Sequence, residues 1–290
     1  MRKRVKGVTE KILLWNEALV PPPMNTYSPS WRKPGLFVRK AKDVLFDYQI
    51  DLHHSKAVEP EELMQVHDPK YVKGVLNGTK SNGFGNSDVS VAQSFLYTTG
   101  AMAQGVDIAL DTGASVCAPV SGFHHAGYDH GGGFCTFNGL AVAANRALKR
   151  GKLPGVIDID AHYGNGTDNI MQVLGWDFPH YTFGGVDYAK AGKLQGLTEG
   201  EAFLRGFPYI LKKFAKCDVI LYQAGADPHI NDPLGGSLTT MEMMERDRLV
   251  FEFFNERNIP VVWNLAGGYQ EPVQKVLDLH LNTLRIWAHT

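Results

Sequence analysis

The chain has 290 residues, of which 44% are hydrophobic, and a net charge of -1, which supplies a large core but no basic field for gripping nucleic acid. No run approaches the ~20 apolar residues that a membrane-spanning helix needs. The three cysteines, Cys117, Cys135 and Cys217, are scattered without CxxC spacing, which argues against a disulfide framework or a thiolate metal site and points to a reducing, cytoplasmic setting.

At the amino terminus Arg2, Lys3, Arg4 and Lys6 precede the patch Ile12-Leu13-Leu14-Trp15, which is too short for a signal-peptide core, so no secretion signal is expected. Apolar, β-rich runs predict strands near 12–16, 115–118, 155–160, 218–223 and 261–266. Between them, helical patterns predict helices over 36–46, 60–66, 88–110, 137–150, 201–214, 239–256 and 271–287. Thr239 or Thr240 ahead of Glu242 and Glu245 has the form of a helix N-cap. Alternating strands and helices predict one α/β domain over residues 1–290, with a mainly parallel sheet flanked by helices on both faces. Two irregular segments, 20–34 with its prolines and 119–133 with Gly131-Gly132-Gly133, are candidate walls of a pocket.

The strand near 155–160 runs into Asp158-Ile159-Asp160-Ala161-His162. Alternate residues of a strand share a face, so Asp158, Asp160 and His162 project together beyond the carboxyl edge of the sheet, where open α/β proteins bind ligands. Oxygen and nitrogen donors without thiolate suit zinc or another borderline divalent ion, and a catalytic zinc takes three protein ligands and keeps one position open. Asp160 and His162 are two candidates; Asp227, which follows the apolar run 218–226, is the third.

A second cluster, Gly122-Phe123-His124-His125, lies before the glycine run, whose freedom at positive φ lets the loop fold both imidazoles against a neighbouring site. The isolated histidines His53, His54, His67, His180, His280 and His289 are read as surface or satisfied core residues. A third cluster, Asn264-Leu265-Ala266-Gly267-Gly268-Tyr269, presents a tyrosine whose hydroxyl can donate to a carbonyl oxygen or an oxyanion.

The order His-His, Asp-x-Asp-x-His, Gly-Ala-Asp and Gly-Gly-Tyr resembles the zinc-dependent histone deacetylases and acetylpolyamine amidohydrolases over nearly the whole chain. The local wording is most similar to the class IV histone deacetylases. The resemblance implies an arginase/deacetylase-like fold with one zinc ion on Asp160, His162 and Asp227, and a possible structural potassium ion beside Asp158, Asp160 and His162. It also implies that His124 pairs with Asp158, and that His125, leaning on Asn165, is general base and then acid. Tyr269 would polarise the carbonyl, and Phe134, Gly133 and Gly268 would belong to the acyl-lysine tunnel. The expected substrate is an acylated lysine peptide, with an acetyl or longer acyl group, or an acetylated polyamine.

Two positions depart from the family pattern. Tyr163 stands where many deacetylases carry a further histidine, and Asn165 replaces an aspartate, which should leave His125 with a lower pKa. An arginase-like enzyme with two manganese ions lacks its carboxylates here, because Asp227 is followed by Pro228 and His229. A polyamine amidohydrolase would benefit from acidic residues at the entrance, for which Asp129 and Asp232 are the candidates. A silent acyl-lysine binding module is disfavoured by the complete set of chemical groups.

Overall fold

A computed structural model describes residues 10–290; the basic stretch Arg2 to Lys6 lies outside the described residues. Seven strands form one sheet: β1 (Lys11–Trp15), β2 (Asp51–His54), β3 (Ser115–Ala118), β4 (Pro154–Asp158), β5 (His180–Thr182), β6 (Val219–Gln223) and β7 (Val261–Asn264), in the order β2-β1-β3-β7-β6-β4-β5. Every neighbouring pair is parallel.

Parallel strands covered on both faces read as continuous apolar runs, and those of β1, β4 and β6 are buried through both sets of alternate residues. Leu13, Ile157, Ile220, Tyr222 and Trp263 join the core on one face, with Phe203, Phe251 and Leu284 from the helices Glu199–Leu211, Thr240–Asn255 and Gln274–His289. Ile12, Leu14, Val156, Leu221 and Val262 join the core on the other, with Met102, Val106 and Leu140 from the helices Val89–Thr112 and Gly139–Lys149. Among the described residues no helix is long and apolar enough to cross a membrane.

The five predicted strands and the long predicted helices are present. The N-cap falls on Thr239, whose hydroxyl accepts the Glu242 N–H at 3.2 Å while Glu242 accepts the Thr239 N–H at 2.7 Å. The predicted helix 36–46 is two helices, Lys33–Lys40 and Lys42–Asp47. Unpredicted are the edge strands β2 and β5 and the helices Pro69–Leu76, Asn165–Leu174 and Tyr188–Gln195. All four residues of β2 are exposed, so it carries no alternation to read.

Helix Asn165–Leu174 has no side-chain cap. Two of its first N–H groups, from Gly166 and Thr167, instead donate to the His124 carbonyl at 2.8 and 3.1 Å. A side chain at Gly166 would lie 2.5 Å from the Ala126 carbonyl oxygen, so only glycine lets this helix dock on the histidine loop.

Candidate active site

Four adjacent strands, β3, β7, β6 and β4, deliver the predicted chemical groups from their carboxyl ends. Asp158 closes β4, and Asp160 and His162 follow it; Asp227 lies four residues beyond β6, His124 and His125 follow β3, and Tyr269 follows β7. The backbone keeps linking neighbours after the strands end. Ile159 N–H donates to the Gln223 carbonyl at 3.1 Å, Ala224 N–H to Asn264 at 3.2 Å, and Ala226 N–H to Ala266 at 2.9 Å. The carboxylates therefore stand on nearly rigid ground.

Asp160, His162 and Asp227 each offer an atom within 4.8 Å of the others. His162 Nδ1 is 3.0 Å from Asp160 Oδ1 and 3.1 Å from Asp227 Oδ2. Donors about 2 Å from a tetrahedral zinc sit roughly 3.3 Å apart, so two carboxylates and one imidazole at these separations fit a zinc ion. Hydrogen bonds to the Asp160 and Asp227 carboxylates raise the His162 imidazole to about 10. Burial and the Asp160 charge push Asp227 up to about 7. Burial also acts on Asp160, but His124 and His162 outweigh it and hold that carboxyl below its usual range.

The two adjacent histidines are divided in charge. His124 Nδ1 donates to Asp158 Oδ2 at 2.6 Å and is buried. Burial opposes its charge, but Asp158 and Asp160 outweigh it and raise the imidazole to about 9. His125 Nδ1 donates to Asn165 Oδ1 at 2.6 Å, which leaves Nε2 as an acceptor. Burial and the neighbouring His124 charge lower its pKa. The ring centroids are 4.0 Å apart, and the surroundings favour charge on one imidazole and disfavour it on the other, the kind of separation that suits acid and base roles. Asp158 is further held by Gln223, whose Nε2 donates to Oδ1 at 2.9 Å while Oε1 accepts the Phe123 N–H at 3.0 Å. Gln223 is a polar residue ending an apolar strand, a signal that the sequence reading passed over.

Tyr269 faces this group, its ring 6.4 Å from that of His162 and perpendicular to it. Burial, with Asp160 and Asp227, raises its pKa and keeps the hydroxyl a donor. Phe134 lies 6.0 Å from it on one side, and the exposed Tyr27 stacks at 6.2 Å on another. Phe134 reaches this place through a two-residue turn: Gly132 and Cys135 exchange backbone hydrogen bonds at 3.0 and 2.8 Å around Gly133 and Phe134, with φ of +52° and +64°. Positive φ at both central residues is the geometry of a type I′ turn. It is strained at a phenylalanine by about 1–3 kcal/mol, the kind of strain found at functional sites.

A cavity of about 310 Å3 is lined by His124, Asp160, Gly133, Phe134, Gly267 and Tyr269, with Ser28 and Ser30 from one irregular segment and Ser121 and Gly122 from the other. Both irregular segments are thus pocket walls. Gly268 turns away: a side chain there would lie 2.4 Å from Val276, and Gly267 is the glycine at the cavity. Asp232, a candidate for the entrance, is buried and accepts the Tyr269 N–H at 2.7 Å. Asp129 is exposed and pairs with His130 at 2.8 Å. Tyr163 is exposed and donates its hydroxyl to Asp168, which also accepts from His180 at 2.7 Å.

Fold and site together place a candidate metal centre and a histidine pair at the carboxyl edge of a parallel sheet, the arrangement of an α/β enzyme of the deacetylase fold. The family profile of the histone deacetylase domain matches residues 36–174 and 191–284, and the chain belongs to that family. Histone deacetylase 2 of Arabidopsis thaliana is 33% identical over 176 residues, covering 54% of this chain and 44% of that protein. An acetylpolyamine amidohydrolase of Mycoplana ramosa is 31% identical over 183 residues, covering 54% of this chain and 52% of its own length. The matched part is thus about half of each of these relatives. The solved HD domain of HDA15 superposes with a TM-score of 0.76 at 18% identity, covering 97% of this chain and 88% of that one, which is a likeness of fold.

Proposed function

We propose that the protein is a zinc-dependent lysine deacylase, removing acetyl or longer acyl groups from lysine side chains. The observation that carries this reading is the adjacent histidine pair, His124 bonded to Asp158 and His125 to Asn165, set against a cluster of two carboxylates and one imidazole. A zinc ion on Asp160, His162 and Asp227 would supply Lewis acidity toward the amide carbonyl and the attacking water. His125 Nε2 takes the proton of that water and returns it to the departing amine nitrogen, work worth about 10²–10⁴-fold in rate. The Tyr269 hydroxyl donates to the amide oxygen as negative charge builds there. His124, kept cationic by Asp158, supports the same charge. Asn165 orients His125 without an opposite charge that would lock it as imidazolium.

The surroundings bear on acyl length and substrate class. A second pocket shares Ser30, Ser121, Gly122 and Phe134 with the first and is walled mainly by apolar groups such as Leu19, Trp31, Phe95 and Phe137. Its apolar lining suits an acyl chain longer than acetyl, in keeping with the class IV-like wording, at about 0.8 kcal/mol per buried methylene. The polyamine reading loses an entrance carboxylate, since Asp232 is buried and engaged by backbone N–H groups.

The test is hydrolysis of acyl-lysine peptides, acetyl through myristoyl, beside acetylputrescine and acetylspermidine, with zinc-loaded and chelated protein. Zinc-dependent turnover of the peptides is expected. Turnover confined to polyamines would move the enzyme to that class, and silence across the panel would leave a binding module.

A further inference from the structure

Tyr269 is carried by a loop with little regular structure of its own. β7 ends at Asn264 and the next helix begins at Gln274, while Gly267 and Gly268 between them adopt φ of +51° and +92°. Backbone groups in such a segment still need partners when buried. Leu265 N–H reaches the Val120 carbonyl at 2.8 Å, and the Ala266 carbonyl accepts from Ala226. The groups flanking and following Ala266 turn to side chains. The carbonyls of Leu265 and Gly267 both accept from Lys33 Nζ, the first at 3.0 Å, and Tyr269 N–H donates to Asp232 Oδ2 at 2.7 Å.

Both side chains are unusual for their type. Lys33 is 0% exposed and Asp232 6%, although lysine and aspartate seldom leave water entirely. Burying a charge is costly unless it is well partnered. Lys33 stands at the start of helix Lys33–Lys40, and its ammonium is spent on loop carbonyls. Asp232 belongs to the segment after Asp227, and its second oxygen accepts the Leu234 N–H at 3.0 Å, which fixes its carboxylate. Burial lowers the lysine to about 8, while the nearby Asp227, Asp160 and Asp232 favour its charged form.

We propose that Lys33 and Asp232 are positioning residues that act as an opposite-charge clamp on the 265–269 loop, the cation holding its carbonyls and the carboxylate the Tyr269 amide. This rests on the reading of Tyr269 as the donor to the amide oxygen. Neither clamp residue lines the cavity; each acts through the backbone that aims the phenol. A donor serves a developing oxyanion only where it is already aimed, and a displacement near 1 Å costs about 100-fold.

The test uses the full chain loaded with zinc and an acyl-lysine peptide. Lys33→Met is expected to lower kcat about 100-fold, with KM and zinc stoichiometry little changed, and Lys33→Arg to restore most of the loss. Asp232→Asn is expected to cost about 10-fold in kcat. In a Tyr269→Phe background, Lys33→Met should cost less than about 3-fold, because the group it aims is already gone. Hydrogen exchange over 265–270 should accelerate in Lys33→Met while the peptide covering 219–223 stays protected.

If Lys33→Met does not fold, Asp232→Asn and its double variant with Tyr269→Phe carry the same comparison. Full kcat in these clamp variants, or losses that simply multiply with that of Tyr269→Phe, would overturn the clamp while leaving the deacylase reading intact. A fully active Tyr269→Phe would overturn that reading and the clamp's purpose with it. If wild type hydrolyses none of the acyl amides, the deacylase reading fails, and unchanged exchange over 265–270 in Lys33→Met would then overturn the clamp separately.

Discussion

The metal cradle and the tyrosine loop face one cavity but are built on opposite principles. Asp160 and Asp227 stand just past β4 and β6, where cross-strand backbone hydrogen bonds continue between 159 and 223, 224 and 264, and 226 and 266. Tyr269 hangs on two left-handed glycines and is held by the side chains of Lys33 and Asp232. The cradle should therefore respond chiefly to changes in the ligands themselves, and the loop to changes at residues that never meet the substrate.

The largest expected effect falls on the cradle. Asp227→Ala removes one of three ligands, and zinc content by elemental analysis should fall below stoichiometry, with activity reduced about 1,000-fold or more. Retention of one zinc per chain would show that the cradle is not the metal site. Tyr269→Phe tests the loop, with kcat expected to fall about 10²–10³-fold and zinc content to stay full. Should zinc be lost as well, the two regions are not separable.

Gly166→Ala probes the ground beneath the histidine pair. Its Cβ would meet the Ala126 carbonyl at 2.5 Å, so thermal unfolding should report a loss of about 1–3 kcal/mol, with activity down roughly 10-fold as Asn165 shifts from His125. An unchanged melting temperature would mean that the helix docks more loosely than this contact implies.

Asn165→Asp is a matter of pH. If His125 is the general base, as proposed, kcat/KM falls as pH drops through its pKa, which burial and His124 place below the ordinary 6.5. A carboxylate partner favours imidazolium and raises that pKa, so the acid limb should move to higher pH, with activity reduced several-fold near pH 6 and nearly intact at pH 8. A shift the other way would break the assignment of His125 as base. Smallest is Thr98→Phe, which narrows the side pocket and should shift preference from myristoyl toward acetyl peptides by about 2-fold. Equal loss on both would show that long chains lie elsewhere.

Part of the cradle was legible before any fold was known, because polar residues that end an apolar run are a local signal: Asp158, Asp160 and His162 announce themselves there, although β4 itself ends at Asp158 and strand alternation does not extend to the other two. The pairings His124 with Asp158 and His125 with Asn165 followed from likeness to a family. Lys33 carried no signal of this kind. A lysine ahead of Pro34 and Gly35 reads as the start of a surface helix, and only the approach of a loop more than 230 residues away makes it a buried donor.

What the sequence by itself determined was therefore what neighbours along the chain can decide: the apolar strands, the capping box at Thr239, and the residue types at the strand ends. Tertiary structure decided the edge strands β2 and β5, too short and too exposed to carry a period, and the helix at Asn165, whose first N–H groups are satisfied by the His124 carbonyl. It also divided the charge between two adjacent histidines and took Asp232 from the entrance to the tyrosine loop. In each case the deciding partner is distant in sequence, and burial sets the strength of the interaction.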